Sequence, residues 1–216
     1  FFFTAIKTNP IPNALTLLFV SPLIVAMLAP FVLGERFDIF IGIGVLVGFV
    51  GVVVVLQPDT DQFNPSLLYA LVAGFCYALY IITTRKLSLS GPPLLTLFYT
   101  AIVGTLVLGP MAVSGWVVPD LVGILLAATM GLVAAISHFM IIKSFEYATA
   151  SELSPFGYFE IVVAMVLSYF VFKFIPTSEA VVGLIIIISS GLFVSWRAMK
   201  NNRTITKKSE SVIEML

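Results

Sequence analysis

Seven runs of mostly apolar residues, separated by short polar breaks, leave this chain few ways to fold. A helix of about 20 such residues crosses about 30 Å of hydrocarbon. The runs are roughly Asn13–Leu33, Asp38–Leu56, Ser66–Thr84, Pro93–Val113, Asp120–Ile142, Glu152–Phe174 and Ser178–Trp196. They are too long for barrel strands and show no two-residue alternation. Of the 216 residues, 60% are hydrophobic and only 10% charged. A soluble domain carries about 25% charged residues, so this chain cannot coat itself for water. A soluble enzyme, a nucleic-acid-binding domain and a disordered chain are excluded. One cysteine, Cys76, and one histidine, His138, exclude a disulfide framework and a Cys/His zinc cluster. No metal or cofactor is expected, and the partner is the lipid bilayer.

Short connections force neighbouring spans to be antiparallel, and loop charge orients them. With the C-terminus inside, Arg36, Arg85, Lys86, Lys143, Arg197, Lys200, Arg203, Lys207 and Lys208 lie inside. Only Lys7 and Lys173 lie outside, a bias of nine to two that fits the positive-inside rule. Asp59 and Asp61 suit an outside loop, and Trp116 and Trp196 fall at interfaces. The basic tail beyond Arg197 reads as a mobile cytoplasmic extension. The chain opens Phe1-Phe2-Phe3-Thr4, with neither a basic n-region nor a cleavage site, so the run is not a signal peptide. It reads as the last turns of a helix, and a fragment is expected.

The chain also resembles itself. Ile24-Val25-Ala26-Met27 matches Val162-Val163-Ala164-Met165 at an offset of 138. Leu15 matches Leu153 and Phe1 matches Phe139 in the same register, while Gly51 matches Gly191 at an offset of 140. Each copy runs to a polar break, Gly34-Glu35-Arg36-Phe37 in the first and Lys173-Phe174-Ile175-Pro176 in the second. Five spans separate a helix from its copy, and an odd number inverts the orientation. Inverted repeats are typical of secondary transporters, which bind solute between the halves near the midplane. By this count about two and a half helices precede Phe1.

These residues resemble the EamA-type branch of the drug/metabolite transporter superfamily. The resemblance rests on Leu33-Gly34-Glu35-Arg36, on Ala70-Leu71 through Tyr77-Ala78-Leu79-Tyr80 with the basic pair Arg85-Lys86, on Ser154-Pro155-Phe156-Gly157-Tyr158 with Glu160, and on Gly183-Leu184-Ile185-Ile186 followed by Ser190-Gly191-Leu192. It implies an all-α integral membrane fold of two inverted five-helix repeats. About seven complete helices and an N-terminal helix stub would be present here. Residues 1–56 would end the first repeat, 57–65 form an external linker, 66–197 the second repeat and 198–216 the cytoplasmic tail. Lys173-Phe174 departs from the Gly-Glu pair common at that turn. The resemblance implies metabolite export more often than uptake, and placement in a bacterial inner membrane.

Small residues let membrane helices approach closely. Such stripes run along Gly123, Ala127, Gly131, Ala134 or Ala135 and His138, along Gly157, Glu160, Ala164 and Ser168, and along Ala70, Ala73, Gly74, Tyr77 and Thr84. Glu160 lies about 12 Å into its span at 1.5 Å per residue. A carboxylate there normally faces a bundle interior or water. It is expected to ligate a solute ammonium or carry a coupling proton, facing a polar pocket while Ile161, Val163, Val166 and Phe170 point elsewhere. The alternative is a structural carboxyl bonded to a neighbouring helix. His138 is a proton-relay candidate if it reaches Glu160 or water, and otherwise an interfacial histidine. Tyr77, Tyr80 and Tyr158 offer hydroxyls and cation–π faces, or simply pack. Pro155 and Pro22 are expected to kink their helices, and Pro110 likewise. Glu35 with Arg36 reads as a loop ion pair.

The leading function is a secondary carrier of a small metabolite such as an amino acid, working by alternating access. No Walker motif is present, so this chain does not use ATP. A lipid-modifying membrane enzyme would need a denser polar site than one histidine provides. A non-transporting structural subunit would not need Glu160 at depth. A homodimer is kept as an expectation.

Overall fold

The computed structural model describes residues 1–36, 38–59, 64–114, 117–173 and 175–213. Expectations resting on Phe37, Asp61, Trp116 and Phe174 lie outside the described residues. Among the described residues all regular structure is helical. In chain order the α-helices are α1 (Phe2–Ala5), α2 (Ile11–Leu18), α3 (Ser21–Leu33), α4 (Ile39–Leu56), α5 (Leu68–Ser88), α6 (Pro93–Ser114), α7 (Leu121–Ser144), α8 (Ala150–Leu153), α9 (Phe159–Phe172) and α10 (Ser178–Ile213). Short 3₁₀ turns cover Pro65–Leu67 and Ser154–Tyr158. These elements form seven stretches long and apolar enough to cross a membrane. Their ends fall within four residues of the sequence reading, and α10 continues past Arg197 to Ile213.

The chain divides into two compact units, Phe1–Ile82 with Thr149–Leu216, and Thr83–Ala148. The core of the first is a seam between α4 and α10. Val194 packs on Gly44, Ser190 and Tyr158 on Gly48, and Ile187 with the Gly183 backbone on Gly51. Numbers rise along α4 as they fall along α10, so the helices are antiparallel. A Cβ on Gly51 would lie 2.9 Å from the Gly183 carbonyl oxygen, and one on Gly183 would lie 2.8 Å from the Gly51 oxygen. Only glycine permits that approach. The Ser190 hydroxyl adds a bond across the seam, donating to the Gly44 carbonyl at 2.7 Å.

The seam carries the repeat. Gly44 and Gly183 stand 139 positions apart, and so do Val55 and Val194. Gly44 receives Val194, and Gly183 receives Val55. Antiparallel packing of repeat-equivalent helices is the inverted arrangement expected, in a register one residue from those read off the sequence. The helix ends agree. Gly34 ends α3 at φ 68°, and Lys173 ends α9 at φ 56°. Asp38 accepts from the Phe40 amide to cap α4, and Thr177 accepts from the Ala180 amide to cap α10. Arg197 closes this end of the seam, with Nε 2.8 Å from Asp38 Oδ2 and its guanidinium 4.5 Å from the Phe40 ring centre.

Two spans are broken. The first parts at Phe19–Val20, just before Pro22, which has no N–H for the Leu18 carbonyl. The second unwinds through the 3₁₀ turn around Pro155. The later halves, α3 and α9, start 138 positions apart. Pro22 and Pro155 stand at these interruptions, whereas α6 runs through Pro110 as one helix. The breaks meet: the Phe19 and Tyr158 rings stand edge to face at 6.3 Å. Asn13 ties the start of α2 to the Asp59 backbone with two bonds of 2.8 Å.

In the second unit α6 packs on α7. An Arg85 guanidinium nitrogen donates to the Phe145 carbonyl, and Lys143 pairs with Glu146 at 2.5 Å.

Glycine-to-alanine variants test the seam. Gly51→Ala pushes a methyl against backbone and is expected to destabilise by about 1–3 kcal/mol. A Cβ at Gly42 meets nothing within 4 Å, so Gly42→Ala is expected to be neutral or stabilising by up to about 1 kcal/mol. Thermal unfolding in detergent compares the two.

Candidate functional site

The 3₁₀ turn at Ser154–Tyr158 decides where Glu160 sits. Because the span restarts at Phe159, Glu160 occupies the first turn of a helix that begins deep in the sequence of the span.

Glu160 lies on the exposed side of the first unit. Tyr158 and Ile161 turn into the core of the first unit, while Gly157, Glu160 and Ala164 lie on its exposed side. The reason is the seam: Gly48 leaves a hollow that the Tyr158 ring fills, and Ile161 follows one turn later. Tyr77 of α5 is also exposed in the first unit. The Tyr77 and Tyr80 rings stack with centres 5.9 Å apart and planes 29° apart. A carboxylate attracts an organic cation by its charge, and stacked phenols attract one by their ring faces.

Tyr158 stands apart from that group. It is fully buried and its hydroxyl has no hydrogen-bond partner among the described residues. His138 belongs to the second unit. Its Nδ1 lies 3.1 Å from the Ala134 carbonyl, and it lines a groove of about 1250 Å³ with Gly131, Ala134 and Ala135 of α7 and Thr100 and Gly104 of α6. The small-residue stripe on α7 therefore does border open space. Among the described residues no cluster of His, Cys, Asp or Glu could hold a metal.

Three functional positions escaped the sequence reading. Phe19 meets Tyr158 at the crossing of the breaks. Asp38 ties α4 to α10; an acid directly before an apolar run is a readable cap signal. Glu35, expected to pair with Arg36, directs its carboxylate at the start of α8. It accepts from the Ala150 amide at 2.8 Å, the Ser151 amide at 3.2 Å and the Ser151 hydroxyl at 3.0 Å. Nothing local announces a contact across 115 residues.

The EamA-like transporter family matches residues 1–57 and 64–196. The chain belongs to that family. Among its EamA relatives, the S-adenosylmethionine uptake transporter of Rickettsia prowazekii is 32% identical over 89% of this chain and 65% of its own length. The riboflavin transporter of Vibrio cholerae is 28% identical over 90% of this chain and 66% of its own. The chain thus spans just under two thirds of these relatives, which are named as transporters and not as enzymes. A protein of known crystal structure shares the fold, with a TM-score of 0.78 at 18% identity over 92% of this chain and 71% of that one. This EamA chain is an integral membrane protein, with seven spans of the required length among its described residues.

Tyr158→Phe removes a buried hydroxyl that has no partner in this structure. It is expected to raise stability by up to about 1 kcal/mol, because no bond is lost. A melting curve of the variant beside wild type measures it.

Proposed function

We propose that the protein is a secondary carrier of a small cationic metabolite of the amino-acid type, with S-adenosylmethionine as the first solute to test. The observation that carries this reading is Glu160, a carboxylate within a span and in the first turn of α9, in the same unit as the stacked Tyr77 and Tyr80. A sulfonium or ammonium centre would sit against the carboxylate and the ring faces. The name of the Rickettsia prowazekii relative supports the same solute. Inverted, broken spans support alternating access around a site near the midplane. His138, in the groove of the second unit, is proposed as a proton relay or solute contact of that unit. Nine inward Lys and Arg against two support a cytoplasmic C-terminus in a bacterial inner membrane. The family resemblance favours export, while the relative's name favours uptake, so direction is part of the test. A homodimer remains part of the proposal, to be tested by the mass of the detergent-solubilised protein.

Proteoliposomes loaded or bathed with labelled S-adenosylmethionine, riboflavin or amino acids give the readout. Saturable S-adenosylmethionine flux is expected. Glu160→Gln keeps the shape and removes the charge, so it is expected to lower that flux about tenfold or more. If Glu160 instead carries a coupling proton, exchange survives and the pH dependence of flux flattens. Unchanged flux and pH profile would leave Glu160 a structural role only.

A further inference from the structure

The repeat register shows that one end of the first unit holds a contact that the other end cannot make. At that end the loop after α3 presents Glu35, and its carboxylate takes the two amides and the hydroxyl at Ala150 and Ser151. Those donors open α8, the first piece of the broken span. α8 is otherwise closed by its own capping box, Thr149 with Glu152. The 3₁₀ turn and Glu160 follow within ten residues. Glu35 thus holds the start of the segment that positions Glu160.

In the other repeat the same places differ in chemistry. In the register that pairs Gly34 with Lys173, Glu35 corresponds to Phe174, while Ala150 and Ser151 correspond to Ile11 and Pro12. Phenylalanine has no carboxylate, and proline has no amide hydrogen. The contact is therefore excluded at the second end by composition. An inverted repeat would, by itself, give the two half-open states equal standing. A charge-assisted bond at one end alone breaks that equality.

We propose that Glu35 is a one-sided latch and a positioning residue: it fastens the broken span α8–α9 at the Asp38–Arg197 end and favours the state closed there. The proposal rests on the carrier reading above for its use in transport, but the latch itself does not need the solute.

Spin labels at Val50 of α4 and Val163 of α9, both exposed, report the distance of the broken span from the seam in the bilayer. Wild type is expected to give one main distance. Glu35→Ala is expected to add a second population of about a tenth or more of the molecules, and Glu35→Gln, which keeps one acceptor oxygen, a smaller one. An unchanged distribution in both variants overturns the latch. So does a change confined to the Ala150 and Ser151 amides, read by hydrogen exchange, because a local cap alone would do that. In the flux assay, Glu35→Ala is expected to shift the apparent KM for S-adenosylmethionine in opposite senses from the two sides; equal KM shifts from both sides also overturn the latch. If wild type moves no S-adenosylmethionine while the distances shift, the latch stands and the solute reading falls.

Discussion

The packing of the first unit depends on two helices touching backbone to backbone. Between membrane spans there is no hydrophobic drive to pack, so close van der Waals contact must hold them. Gly44, Gly48 and Gly51 of α4 and Gly183 of α10 provide it, and Val55 and Val194 fill the spaces in mirrored positions. The hollow at Gly48 then takes the Tyr158 ring. That fixes the rotation of the broken span, which in turn leaves Glu160 on the open side. One set of missing Cβ atoms thus governs where the carboxylate points.

The broken spans solve a second problem. An uninterrupted helix would leave a mid-span carboxylate with only side chains as partners. Restarting the α-helix at Phe159 puts Glu160 in its first turn, and the proline that permits the break is four positions before the new helix. In the first repeat Pro22 does the same work after Val20, and the Leu17 and Leu18 carbonyls come close to Gly74 of α5. The two breaks cross at Phe19 and Tyr158. Chemistry and symmetry therefore meet at one place: the repeats share their backbone path and differ in the charges placed along it.

Much of the architecture was legible beforehand. Length and apolarity of the seven segments give the spans, because lipid admits few alternatives. The matches near Met27 and Met165 give the repeat, and the prolines give the breaks. The facing of Glu160 was not legible. In a helix apolar on all sides, a stripe of Gly157, Ala164 and Ser168 does not say whether it lines an interface or an open side; that depends on the hollow at Gly48, more than 100 positions away. Tyr158 and Tyr77 look alike in sequence, yet one is core and the other exposed. Glu35 beside Arg36 reads as a local pair, and only the folded chain brings Ala150 to it.

The inverted repeat is the claim on which the rest stands, and sidedness measures it most directly. Single cysteines replace Arg36 and Ile175 in a Cys76→Ser background, and intact cells are treated with a membrane-impermeant maleimide. The two positions follow equivalent helices, α3 and α9. The expected result is labelling of the Ile175 position from outside and of the Arg36 position only after permeabilisation. Labelling of both from the same side would contradict the inverted arrangement, and with it the account of the seam, the breaks and the site.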